Sequence, residues 1–177
     1  MLGGSTHLTT ATMYAKLARQ AAEQYVTTQT RMSLPDVLPA DLLLQRACYI
    51  SILEKPGKIV RGHYGQPLPR ATFLAEEIIT NTINALDPML RRADLPSLEY
   101  VVGIVSHLQR ISDPSHLNPD QFGLYVRSDT GKSMVMLPQR FGIETANDQI
   151  ATAFREAGID PRQEASTLYR FRVTWYE

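Results

Sequence analysis

Side chains able to do chemistry concentrate in the run Val60-Arg61-Gly62-His63-Tyr64-Gly65. Arg61 can grip a carboxylate or phosphate through two parallel N–H donors, and His63 can move a proton near neutral pH. Gly62 and Gly65 allow a backbone to approach a ligand closely. Arg61, Gly62, His63, Tyr64 and Gly65 are therefore the candidate ligand-binding residues. The competing reading is structural, with Arg61 paired to a nearby carboxylate or carbonyl and His63 solvated.

The element that must position them is a hairpin. Ile50 and Ile52 before it, and Ile59 and Val60 after it, favour extended backbone because branching at Cβ packs well on a pleated surface. Lys55-Pro56-Gly57 supplies the reversal. A loop of two or four residues sets Cys48 opposite His63 and Ser51 opposite Val60, whereas a three-residue loop sets Cys48 opposite Tyr64. Spacing leaves these registers open. The hairpin ends in a loop that carries the arginine, histidine and tyrosine.

Cys48 opposite His63 would be a thiol activated by imidazole. A single cysteine in an apolar strand is otherwise a small buried hydrophobe. Gln139, after Pro138, is a candidate polar contact at a site mouth or the turn that ends a strand. His63, His107 and His116 lack metal-ligand spacing, so no metal and no cofactor are expected. No phosphate loop, nucleophile elbow, HExxH helix or dinucleotide fingerprint is present.

Composition narrows the partners. Eighteen basic and eighteen acidic residues give zero formal net charge, so the electrostatic footprint of nucleic-acid binding is missing. One cysteine excludes an intrachain disulfide and multi-cysteine metal sites. No charged or apolar leader pattern opens the chain, and no apolar run approaches the ~20 residues needed to span a bilayer. A soluble, cytoplasmic protein without a membrane or nucleic-acid partner is expected.

In chain order, residues 1–8 read as a loose terminus, and a helix capped by Thr9 or Thr10 runs to Thr27. Its stripe is Met13, Leu17, Ala21 and Tyr25, widened by Ala18, Ala22 and Val26. Residues 28–41 form a proline-bearing connection. Thr72 caps a second helix with Leu74, Ile78, Ile83 and Leu86 inward and Asp87-Pro88 at its end. Leu98–Ile111 is a long strand apolar on both faces, hence central. Asp129-Thr130-Gly131 turns a second hairpin. A third helix runs from Thr145 or Asn147 to Ala157, with Ile150, Phe154 and Ala157 inward and Gly158 after it. The last strand alternates Tyr169, Phe171, Val173 and Trp175 against Arg170, Arg172, Thr174 and Tyr176, which places the arginines on a solvated face. The mixed order predicts an α+β fold, a largely antiparallel sheet with about three main helices packed on it. Val102, Ile104, Phe171 and Val173 are assigned to the core. Residues 1–177 are expected to form a single domain, with or without a smaller helical or hairpin lobe.

VRGHYG resembles the Leu-Arg-Gly-Cys-Ile-Gly hexapeptide of the AMMECR-type domain family. LARQAAEQYV is similar to that family's opening helix, and Asp87-Pro88 followed by LEYVVGIV to its Asp-Pro loop and next strand. GLYVR, MVMLPQ and LYRFRV resemble its later segments in the same order. The resemblance implies an antiparallel α+β fold and no established activity. It also implies a shared pathway with a Memo-type dioxygenase-like protein and a radical S-adenosylmethionine protein. The family's hexapeptide cysteine is the natural candidate nucleophile, and His63 stands in its place. Two readings follow. One is a non-catalytic domain that binds a small molecule or protein partner around Arg61–Tyr64. The other is an enzyme that uses Arg61 and His63 on an anionic small substrate.

Overall fold

The structure is a computed structural model that describes the backbone from Thr6 to Glu177 and side chains from Met13 onward. Residues 1–5 of the expected loose terminus lie outside the described residues. The first helix, α1 (Thr6–Thr28), starts before Thr9, since nothing between Thr6 and Thr9 is a glycine or proline that would stop it. Strands β1 (Cys48–Glu54) and β2 (Ile59–Gly65) follow, then α2 (Leu74–Ala85) and β3 (Leu98–Ile111). Strands β4 (Gly123–Ser128) and β5 (Ser133–Met136), helix α3 (Ala146–Ala157) and strand β6 (Ser166–Tyr176) complete the chain. The sheet order is β2-β1-β3-β6-β4-β5. Antiparallel pairing joins β1 to β2 and β3, and β4 to β5 and β6. The fold is α+β, as predicted.

Two compact units divide the chain. The first holds residues up to Ile104 together with Trp175–Glu177, and the second holds Val105–Thr174. In the first, α1 and α2 bury Leu17, Ala18, Ala21, Ile78 and Ile79 with Ile50, Ile52, Val102 and Ile104 of the strands. Each large aliphatic side chain contributes roughly 1.5–3 kcal/mol by leaving water. In the second, Ala153 of α3 packs with Leu124, Val126 and Met136.

Several expectations change in detail. Phe73, not Thr72, stands at the start of α2, and no side chain caps that end. Helix α3 has the predicted signals: Thr145 forms a capping box with Asp148, and Gly158 closes it in the left-handed region at φ 66°. Ile150, Phe154 and Ala157 are only partly buried, and the fully covered positions are Gln149, Thr152 and Ala153. Phe171 is fully buried, whereas Val173 is half-buried and Trp175 is 41% exposed, so the β6 stripe reaches the core mainly at Phe171. Arg170 and Arg172 are not simply solvated. Both guanidinium groups stack on Phe122, at 4.5 and 4.8 Å from the ring centre, and Arg170 also donates to the His116 carbonyl and Gln109 Oε1.

Candidate functional site

The β1–β2 hairpin reverses through Lys55–Lys58, with Glu54 opposite Ile59 and Lys58 at φ 50°. A bulge follows between Ile52/Leu53 on β1 and Gly62/Val60 on β2, so Arg61 is the extra residue. Bulges shift the ladder by one position. Here that shift puts Ser51 opposite His63 and Ile50 opposite Tyr64, and Cys48 lies one residue beyond the Tyr49–Gly65 pair. Neither expected register holds. The expected loop is absent too, because Arg61–Gly65 belongs to β2 itself.

Strand alternation then separates the candidates. His63 shares a face with Tyr49 and Ser51: its ring stacks 5.7 Å from Tyr49, and its Nδ1 lies 2.8 Å from Ser51 Oγ. Tyr64 shares the helix-covered face with Cys48 and Ile50 and packs on that core. A Cys48–His63 thiol–imidazole pair is therefore excluded by geometry. Ring burial against Tyr49 and β1 pulls the His63 pKa below its ordinary value, although the residue keeps an exposed edge.

Arg61 is held between two carboxylates, with Nη1 2.9 Å from Glu54 and Nη2 3.5 Å from Asp87. Its fork is already occupied. Gly62 and Gly65 are needed for space. A Cβ on Gly62 would lie 1.7 Å from the Ala85 carbonyl oxygen at the end of α2, and one on Gly65 would lie 2.6 Å from the Cys48 carbonyl oxygen. Cys48 is fully buried and accepts from Asn81 Nδ2 at its carbonyl oxygen (3.0 Å). Burial pushes its thiol up to about 12. Gln139 belongs to the second unit, exposed in the turn after β5 at φ 59°, its N–H donating to the Pro119 carbonyl. Among the described residues no group of His, Cys, Asp or Glu is arranged to hold a metal ion.

A polar hollow of about 360 Å³ lies where Tyr64 meets α2. Arg31, Arg70, Thr80, Asn81 and Asn84 share its lining with Glu76 and Glu77 of the first turn of α2. Glu77 is 2% exposed. Its Oε2 accepts the N–H groups of Arg70 and Ala71 at 3.0 and 2.8 Å, and Oε1 accepts from Asn81 at 3.4 Å. The Glu77/Asn81 spacing of one helical turn was the available signal, but only the fold shows that this face is covered. Arg31 and Arg70 make no ion pair among the described residues.

Fold and site together define an α+β domain whose β1–β2 hairpin carries polar groups on both faces. The AMMECR1 family profile matches residues 15–176. The chain belongs to the AMMECR1 family. It is 29% identical over 169 residues to a Thermotoga maritima protein, covering 93% of this chain and 97% of that one. It is also 30% identical over 168 residues to the Clostridium acetobutylicum protein CA_C1420, covering 91% of this chain. It spans 35% of the length of that relative. The fold is similar to the crystal structure of the uncharacterized protein PH0010 from Pyrococcus horikoshii, with a TM-score of 0.78 and 22% identity over 92% of this chain and 88% of that one. No helix among the described residues is long and apolar enough to cross a membrane.

Proposed function

We propose that the chain is a non-catalytic binding domain that takes a small acidic molecule in the hollow at Tyr64. The supporting observation is the pairing of two guanidinium groups that make no ion pair among the described residues, Arg31 and Arg70, with a wall already fixed by the Glu77–Asn81 hydrogen bonds. Groups held in place before binding lose little freedom when a ligand arrives, so more of the interaction energy appears as affinity. The buried, neutral Cys48 thiol and the occupied Arg61 fork do not favour catalysis at the hexapeptide.

The second reading, an enzyme acting on an anionic substrate through His63, rests on the 2.8 Å contact between Ser51 Oγ and His63 Nδ1. Such a pair has the reach of a nucleophile and its base. A thermal-shift screen against pooled acidic metabolites separates the two. Stabilisation lost in an Arg31→Ala, Arg70→Ala double variant but kept in Arg61→Ala, His63→Ala supports the hollow. The reverse pattern rejects it in favour of the His63 face. A screen in which no compound stabilises the wild type rejects small-molecule binding.

A further inference from the structure

Helix α2 turns one polar stripe toward the hollow at Tyr64. Glu76, Thr80 and Asn84 recur every four residues, and Glu77 and Asn81 stand beside them, so all five line the same side of the helix. The rest of the helix buries Leu74, Ile78 and Ile79. The two carboxylates of the stripe are in different states. Glu77 is committed to the fold: it is 2% exposed and accepts the Arg70 and Ala71 N–H groups and Asn81 Nδ2. Glu76 is half-buried and makes no ion pair among the described residues. The same holds of the exposed Arg31 and Arg70.

The hollow thus offers a ligand two guanidinium groups and one carboxylate that are not spent on each other. A hollow of about 360 Å³ is roughly 9 Å across, about one screening length in physiological salt, so a ligand anywhere inside it is within range of Glu76. A molecule bearing acid groups alone meets repulsion there, whereas one that also bears an ammonium is attracted. The volume lies at the small end of ligand sites, which span roughly 300–1,000 Å³. Building on the small-acid reading of this hollow, on which the inference rests, we propose that its ligand is an acidic amino acid. Its acid groups meet Arg31 and Arg70, and its ammonium meets Glu76. Thr80 and Asn84 supply further hydrogen bonds on the same wall.

The test is isothermal titration calorimetry with L-aspartate and L-glutamate. Each is set against its amino-free counterpart, succinate or glutarate, at matched ionic strength. The proteins are wild type, Glu76→Gln, and the Arg31→Ala, Arg70→Ala variant. Glu76→Gln is close to isosteric at a side chain without an ion pair, and its melting temperature without ligand verifies the fold. Wild type should bind one of the amino acids about fivefold or more tightly than its counterpart. Glu76→Gln should shrink that ratio below about twofold, and the double arginine variant should lose at least tenfold in affinity for the amino acid. Equal affinity of wild type for amino acid and counterpart overturns the inference and leaves the small-acid reading standing. A preference undiminished in Glu76→Gln does the same. Binding of none of the four overturns the inference as well, and the pooled acidic-metabolite screen then decides the small-acid reading by itself.

Discussion

Gly62 of β2 lies so close to Ala85 of α2 that a Cβ there would sit 1.7 Å from the Ala85 carbonyl oxygen. The contact is with backbone, so no side-chain rotation relieves it. Gly65 is similarly enclosed by Tyr49 and the Cys48 carbonyl. Neither glycine has a positive φ, so packing is what demands them. Gly62→Val and Gly65→Val should each cost about 3 kcal/mol or more. His63→Cys, at an exposed edge, should cost under ~1 kcal/mol. Urea unfolding midpoints check the order, and a more damaging His63→Cys would mean that His63 is a structural residue.

The Cys48 thiol should be inert in the native protein. It is fully buried, and burial pushes its pKa to about 12, whereas thiolate is the reactive form. A disulfide-exchange reagent at pH 8 should label it only as fast as the protein opens, with labelling accelerating through the urea transition. Immediate stoichiometric labelling of the folded protein would contradict the burial.

Arg61 should be coupled to both of its carboxylates. A double-mutant cycle with Arg61→Ala and Glu54→Ala should give about 0.5–1 kcal/mol of interaction, falling as salt rises, because the pair is partly exposed. The cycle with Asp87→Ala, whose contact is longer at 3.5 Å, should give less. Additivity in both cycles would leave Arg61 free for a ligand.

Burial raises Tyr14 and Tyr49 as well as Cys48 and Tyr100, so all four contribute to the alkaline limit of stability. Cys48 and Tyr100 are both raised in the folded protein, each to about 12. Their contribution is fully present below the unfolded values and is lost as pH climbs toward 12, at up to about 1.4 kcal/mol per pH unit per group. Tyr100→Phe should therefore flatten the decline between pH 10 and 12, and Cys48→Ala should flatten it from about pH 9. Tyr100→Phe should also leave stability at pH 7 unchanged or up to about 1 kcal/mol higher, since it removes an unpartnered hydroxyl. On the acid side His63 is lowered, so its contribution is present above the ordinary histidine value and lost as pH falls. His63→Asn should flatten that acid slope. Chemical denaturation across pH reads all of these effects.

Local patterns determined the element types. Leu98–Ile111 reads as a two-faced strand because apolar residues fill both alternating sets, and β3 has those limits. Thr145 and Gly158 mark α3 through side-chain and left-handed backbone chemistry that acts within a few residues. The glycines, Arg61 and the AMMECR-type resemblance were likewise visible in the residue string. What tertiary structure decided was which side each candidate faces. A strand's side-chain period is two, so the placement of the turn at residues 55–58 and the one bulged residue at Arg61 together shift the pairing beyond the bulge and set Ser51, not Cys48, opposite His63. Long-range packing brought Asp87 to Arg61 and enclosed Glu77 and Asn81 over the Tyr64 hollow. It also left the Tyr100 hydroxyl buried without a hydrogen-bond partner among the described residues. Those contacts join residues distant in the chain, and neither periodicity nor composition records them.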